Sequence, residues 1–470
     1  MNAQIIINNE IKSSENSKSS TIYSPWDNTV LGTTELASLG QANWALENAE
    51  QAFFSWRLTD LSKRINLIRN VEKLLKDKVE FLSELLSKEI GKTKEDAKSE
   101  IARAIDYLEL TADVAQFIKG SIFYGDVVSK YPRGRKNGLY SRIPLGVVLA
   151  ISPFNYPINL SITKVAPALA SGNTVILKPA TIGSLTAFEF YKTFVDAGFP
   201  PGVMNFVPGD STEIGDYLVG HKKVSLIAFT GSSSVGNHIR EVAKGIPLLL
   251  ELGGKDSAIV TENADLEMAS TEIVSGAFSY SGQRCTAQKI VFAYESIAQN
   301  LKNLIISKTQ SIQLTPMINS NACDLILELS QDAKNNGAEV CLEGIRTGNI
   351  LSPTVLFNVN ESMRIFSEEQ FGPIMPIVVV KDENEAITKA NSSKFGLQAS
   401  IYTQSLEEAF RLADKLEVGT VQVNGKPDRG PDNFPFGGIK DSGQLMQGLS
   451  ETMELMTRGK LTVINLHLFN

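Results

Sequence analysis

The chain has 470 residues, 43% of them hydrophobic, with 45 basic and 52 acidic residues well mixed and a formal net charge of −7. That is ample for a large core, suggests about three structural units, and leaves no basic stripe for nucleic acid. Three scattered cysteines (Cys285, Cys323, Cys341) argue against a disulfide framework, and His221, His238 and His467 fall in no metal-ligand spacing, so no metal is expected.

The opening MNAQIIINN has three consecutive large apolar residues, too few for a signal-peptide core. The longest apolar runs, 146–151 and 377–380, fall far short of a membrane span. A soluble, cytoplasmic protein is expected. Ile5–Ile7 and Ile11 flank Asn8-Asn9-Glu10, which predicts a hairpin, because Asn tolerates the left-handed turn conformation. From about 41 to 118 apolar residues recur at helical spacing. A basic loop, KYPRGRKNGLYSR, follows. Short buried strands then alternate with helices: GVVLAI, TVILK, SLIAFT and PLLLEL. Gly172, Gly198 and Gly245 stand where the intervening helices should end. A second α/β series runs from about 256 to 423 through SAIV, KIVFAY, IMPIVVV, ASIYT and TVQVN, and the tail GKLTVINLHLF reads as an added edge strand. The class is α/β, with parallel sheets covered on both faces.

Several segments could carry chemistry. SPFNYP (152–157) follows a buried strand, and its two prolines stiffen a loop around Asn155. A rigid amide there can donate to a developing oxyanion. Lys178 ends the strand TVIL, where parallel sheets place ligands, and no acidic residue follows in 179–184. A carboxylate there would repel a 2′-phosphate. AFTGSSSVG sets Gly231, Ser232 and Gly236 at a helix start that can hold a pyrophosphate, although on this segment alone a plain tight strand-to-helix turn is the favoured reading. Glu251 sits inside the apolar run LLLELGG, where burial should make it a usable base unless a cation pairs with it. With histidines so scarce, a carboxylate base is the natural expectation. Cys285, in SGQRCTAQK, has small, polar or cationic neighbours, and nearby cations lower a thiol's pKa. EEQFGP and NFPFGGIKDSG suit loops closing over a ligand.

In order, SPFNYP, KPAT, FTGSSSVG, LELGGKDSAIV, GQRCTA, EEQFGP and PFGGIKDSG resemble the aldehyde dehydrogenase superfamily across essentially the whole chain. The resemblance implies two Rossmann-like parallel α/β domains plus a small β oligomerisation arm. The cofactor-binding domain would comprise 1–119 and 142–252, the catalytic domain 253–445, and the arm 120–141 and 446–470. It implies Cys285 as nucleophile, Asn155 with the Cys285 N–H as oxyanion hole, and Glu251 as the base for hydrolysis. It implies Gly231 and Ser232 at the pyrophosphate, Lys178 and Thr181 at the adenosine ribose, and Glu369 and Phe371 at the nicotinamide end. AISPFNYP, YSGQRCTA, GLQASI and RGPDNFPF are most similar to the NADP-dependent, non-phosphorylating glyceraldehyde-3-phosphate dehydrogenases. That subgroup's phosphate ligands carry over as Arg103, Tyr156, Arg284 and Arg429. Read singly, Arg103 could pair with Glu100 or Asp106, Tyr156 could be packing, and Arg429 could be a solvated loop residue. The implied cofactor is NADP, with NAD left open by Asp210, and the implied assembly is a homo-oligomer, dimer or tetramer. The segment 311–319 is shorter than the family pattern, a deletion expected to lie away from the chemistry yet to bear on packing between catalytic-domain elements. The alternatives are another small anionic aldehyde such as succinate semialdehyde, a coenzyme A-acylating relative, or a non-catalytic protein on the same fold.

Overall fold

Asn8 and Asn9 both take positive φ (57° and 63°) and close the predicted hairpin between Ile5–Ile7 and Glu10–Lys12. The structure, a computed structural model, describes residues 1–118, 120–125 and 136–466. The helical pattern resolves into Leu39–Trp56, Leu61–Asp77, Val79–Ile90 and Lys94–Val114. Ser38 starts the first with a capping box: its hydroxyl accepts from the Gln41 N–H, and the Gln41 side chain accepts from the Ser38 N–H. Ile65, Ile68, Val71 and Leu75 form the buried stripe of the second.

The first large sheet has eight strands. Its parallel centre runs Leu248–Glu251, Val224–Thr230, Val147–Ile151, Thr174–Lys178 and Met204–Phe206. The N-terminal hairpin extends one edge, and Gly443–Gln444 adds antiparallel at the other. The chain builds outward from Val147–Ile151 through Thr174–Lys178 to Met204–Phe206, then returns to the other side of Val147–Ile151 with Val224–Thr230. The strand order therefore reverses between Val147–Ile151 and Val224–Thr230. Such a switch point leaves a crevice beyond the carboxyl ends of the strands.

The second sheet has seven strands, in the order Glu339–Leu342, Thr354–Phe357, Ile374–Val380, Ile290–Tyr294, Ser257–Val260, Gln398–Tyr402 and Thr420–Val423. All but the first are parallel. Both sheets have wholly buried central strands, Thr174–Lys178 in the first and Ser257–Val260 and Ile290–Tyr294 in the second, each large apolar side chain stabilising the fold by about 1.5–3 kcal/mol. The tail strand Thr457–Asn465 pairs antiparallel with Lys136–Pro144, and Ser121–Tyr124 completes a three-stranded sheet. Part of the predicted basic loop and arm (126–135), with His467 and the last three residues, lies outside the described residues. Among the described residues, no helix is long and apolar enough to cross a membrane.

Candidate active site

A cleft of about 440 Å³ opens at the switch point. Its lining brings together Asn155, Lys178, Gly231, Ser232, Cys285, Glu369 and Phe371, residues up to 216 positions apart (371 less 155). Three of its walls are strand ends, since Ile151, Lys178 and Thr230 each terminate a parallel strand.

Cys285 lies half-buried at the bottom, on a loop of unusual backbone. Tyr280, Ser281 and Gly282 all have positive φ (50°, 53° and 74°), and a β-carbon at Gly282 would strike the Gly372 carbonyl. The loop is held in place by side chains. Asn155 Nδ2 donates to the Gln283 carbonyl at 3.0 Å, which leaves the second N–H of that amide for a ligand. Gln283 in turn donates to the Pro316 carbonyl (3.2 Å) and accepts from the Ile318 N–H (2.8 Å). Ser281 donates to the Thr315 carbonyl at 2.6 Å. The short segment 311–319, expected away from the chemistry, is thus the brace behind the cysteine loop. Arg284 does not supply the expected cation, because its guanidinium turns to the Gly276 carbonyl (2.7 Å). Burial pushes the Cys285 thiol up to about 11, opposed first by Lys289.

Glu251 ends the strand Leu248–Glu251, directly opposite Thr230 in parallel register. The Thr230 hydroxyl donates to Glu251 Oε2 at 3.1 Å and accepts from the Lys164 ammonium at 2.6 Å. Glu251 is not a lone buried carboxylate: Arg429 Nη1 meets the same oxygen at 3.0 Å. Its other oxygen, Oε1, is buried without a hydrogen-bond partner among the described residues. An orphaned carboxylate oxygen is costly unless water or a ligand reaches it.

The cofactor-side residues line the same cleft. Lys178 is buried, which lowers its ammonium to about 8, and it donates to the Ser211 hydroxyl at 3.0 Å. Asp210 is not part of the lining. Its carboxylate accepts from the Thr212 N–H and hydroxyl (2.9 and 2.8 Å), which hold it below the usual carboxylate range. Thr181 stands just beyond the lining and is half-buried. Ser232 caps the helix Ser233–Val242, with Gly231 in the turn before it. Across the cleft, Glu369 Oε1 accepts from the Gly254 N–H at 3.0 Å, and a β-carbon at Gly253 would collide with the same carboxylate. Phe371 is held at φ 39° and meets Phe154 edge to face at 6.1 Å. Hydroxyl, cation and helix N-terminus at one end, with carboxylate and aromatic ring at the other, fit a phosphorylated dinucleotide.

None of Arg103, Tyr156, Arg284 and Arg429 lines the cleft itself. Arg103 pairs with Asp432 through two bonds of 2.9 Å, not with Glu100 or Asp106 on its helix, and also donates to the Arg429 carbonyl. Glu100 instead pairs with buried Lys92 at 2.5 Å. Lys92 lies 3.3 Å from the centroid of the Tyr156 ring, and Tyr156 stands within electrostatic reach of Arg103, Arg284 and Cys285. Arg429 is largely buried between Glu251 and Gln447, not a solvated loop residue.

Residues 11–462 match the aldehyde dehydrogenase family. The chain belongs to that family. It is 40% identical to the NADP-dependent glyceraldehyde-3-phosphate dehydrogenase of Pisum sativum, over 97% of this chain and 94% of that protein. It is 41% identical to the enzyme of that name from Streptococcus equinus, over 95% of each chain. Its structure matches NADP-dependent glyceraldehyde-3-phosphate dehydrogenase from Bacillus halodurans C-125 complexed with NADP, at a TM-score of 0.97 and 43% identity, covering 99% of this chain and 100% of that one. A betaine aldehyde dehydrogenase of Staphylococcus aureus in complex with NAD+ superposes at a TM-score of 0.93 with 29% identity, covering 98% and 97%.

Four side chains at or behind the aldehyde dehydrogenase cleft go unassigned in the sequence, and of these only Thr230 lines it. Thr230 and Lys164 extend the hydrogen bonding from Glu251, Lys92 backs Tyr156, and Lys289 lies beneath Cys285. Only Thr230 carried a signal, as the polar end of an apolar strand next to Gly231. The three lysines are wholly or almost wholly buried, an environment that composition does not foretell for lysine.

Proposed function

We propose that this aldehyde dehydrogenase oxidises glyceraldehyde 3-phosphate to 3-phosphoglycerate with NADP, without inorganic phosphate. The thiolate of Cys285 adds to the aldehyde carbon. The resulting oxyanion takes a hydrogen bond from the free Asn155 N–H and one from the Cys285 backbone. The bound nicotinamide supplies the hydride acceptor. Loss of hydride leaves a thioester on Sγ. Water then attacks the thioester, Glu251 takes its proton, the C–S bond breaks, and the acid and thiol are released. The observation that carries this reading is the common cleft of Cys285, Asn155 and the dinucleotide set, with a buried carboxylate oxygen of Glu251 left without a partner.

The phosphate preference rests on Arg103 lying against the Arg429 backbone and on Tyr156 standing within electrostatic reach of Arg103, Arg284 and Cys285. In this reading the substrate phosphate draws Arg429 from Glu251, freeing the carboxylate once an acyl group is in place. The NADP preference rests on Lys178 and Ser211 facing the cleft while Asp210 is engaged by Thr212. The protein assembles as a homo-oligomer through the three-stranded sheet, where Phe123, Leu461 and Val463 are exposed. It acts in the cytoplasm.

A matrix of aldehydes against cofactors tests the reading. NADPH formation from glyceraldehyde 3-phosphate in phosphate-free buffer, outpacing glyceraldehyde and succinate semialdehyde, is the expected result. A strict need for inorganic phosphate, or equal rates on all three aldehydes, would refute it.

A further inference from the structure

Lys289 is four residues beyond Cys285, and its side chain is 1% exposed. A buried ammonium is costly unless every donor is well used. This one donates to the Cys285 carbonyl at 2.7 Å and to Glu369 Oε1 at 2.9 Å. Its ammonium also stands 5.9 Å from the Phe371 ring centroid. Its own carbonyl accepts from Gln370 Nε2 at 2.6 Å. One residue therefore touches the nucleophile's backbone, Glu369 and Gln370, and stands within cation–π range of Phe371.

The surroundings make this junction rigid. Neighbouring Lys255, also buried, donates to the Ile365 and Glu368 carbonyls and to Gln370 Oε1, at 2.5, 2.7 and 2.6 Å. The loop bearing Glu369 is thus held by two buried cations. The Lys289 N–H donates to the Asp256 carbonyl at 2.9 Å, which fixes the start of the strand Ile290–Tyr294.

We infer that Lys289 is a positioning residue that couples the grip on the cofactor to the orientation and reactivity of the Cys285 thiol. The inference rests on the reading of Cys285 as nucleophile and Glu369 as cofactor contact. Holding the carbonyl of Cys285 fixes the peptide that follows it, and so the direction in which Sγ faces the cleft. Holding one oxygen of Glu369 leaves the other for a ligand. The groups facing the thiol are the cations Lys289, Arg429 and Lys164, the carboxyls Glu251 and Asp256, and the Tyr156 phenol. Of these, Lys289 is the cation with the largest favourable effect on the thiolate, and burial first, then Glu251 and Asp256, oppose it.

The test uses the full-length enzyme and its Lys289→Met and Lys289→Arg variants. Cys285 is alkylated with iodoacetamide between pH 7 and 10 without cofactor, and NADP binding is measured by calorimetry. Lys289→Met is expected to slow alkylation about tenfold at each pH, the effect of raising a thiol pKa by about one unit. It is expected to weaken NADP binding about tenfold while changing the KM for aldehyde far less. Lys289→Arg restores much of both, since it keeps the charge in reach of Glu369. A Met variant with the wild-type thermal midpoint, alkylation profile and NADP affinity overturns the inference. If Lys289→Met does not fold, Lys289→Arg decides alone: losses in both measurements as large as those expected of Met, in a folded protein, overturn it. A wild-type enzyme whose Cys285 is alkylated with no loss of turnover would sink the reading of the nucleophile itself, and is distinguishable because no Lys289 variant is involved.

Discussion

At the scale of single residues, Arg429 makes the sharpest prediction. It pairs with Glu251 at 3.0 Å, yet it is also the proposed phosphate ligand. Arg429→Leu should therefore act in opposite directions on two substrates. Steady-state turnover of unphosphorylated glyceraldehyde should rise a few-fold, because Glu251 is released, while kcat/KM for glyceraldehyde 3-phosphate should fall about 10²-fold as a charged hydrogen bond is lost. Equal losses on both substrates would assign Arg429 a purely structural role. Lys178 gives a pH prediction. Burial lowers its ammonium to about 8, so the free enzyme loses that charge as pH rises through 8. A bound 2′-phosphate favours the charged form. The KM for NADP should then climb between pH 7 and 9 while that for NAD stays nearly flat. Lys178→Ala should raise the NADP value about 10–100-fold, most strongly at pH 7.

At the scale of elements, the brace behind the cysteine loop is the feature the sequence concealed. The shortened segment 311–319 holds Ser281 and Gln283 through its backbone carbonyls and one N–H, and backbone partners leave no trace in residue type. Gln283→Leu would strip the Pro316 carbonyl and the Ile318 N–H of their partner. It should cost about 1–3 kcal/mol per buried group and lower kcat more than the cofactor KM, measurable by denaturant unfolding and initial rates. An unchanged kcat would detach the segment from catalysis. The parallel strands, by contrast, were legible. The runs GVVLAI, TVILK and SLIAFT are apolar at their centres because both faces of the sheet are covered, and glycines mark where the helices between them stop. Pairing partners were not legible. Nothing in LLLELGG says that its Glu finds Arg429, 178 positions later (429 less 251), and nothing in the helix bearing Arg103 says that its acid is Asp432.

At the scale of the whole molecule, two covered sheets create one cleft, and a third, narrow sheet exposes an apolar face. Phe123, Tyr140, Leu461 and Val463 fall on the same side of the three paired strands, and three of them are about half exposed. In the proposed homo-oligomer this face is the contact between subunits. Leu461→Glu should shift the species seen by light scattering to a smaller oligomer without altering the unfolding midpoint of the isolated subunit. The overall plan could be read from ordered motifs, since each marks a strand end or a tight turn. The meeting of Cys285 and Asn155 in one cleft follows from sheet topology, which the sequence encodes only through packing. The most direct measurement is a rapid-quench reaction of Glu251→Gln with glyceraldehyde 3-phosphate and NADP, followed by peptide mass spectrometry. The account predicts a burst of one NADPH per subunit, an acyl adduct on the peptide containing Cys285, and turnover reduced about 10²–10⁴-fold. Continued turnover at the wild-type rate, or a burst with Cys285 unmodified, would contradict it.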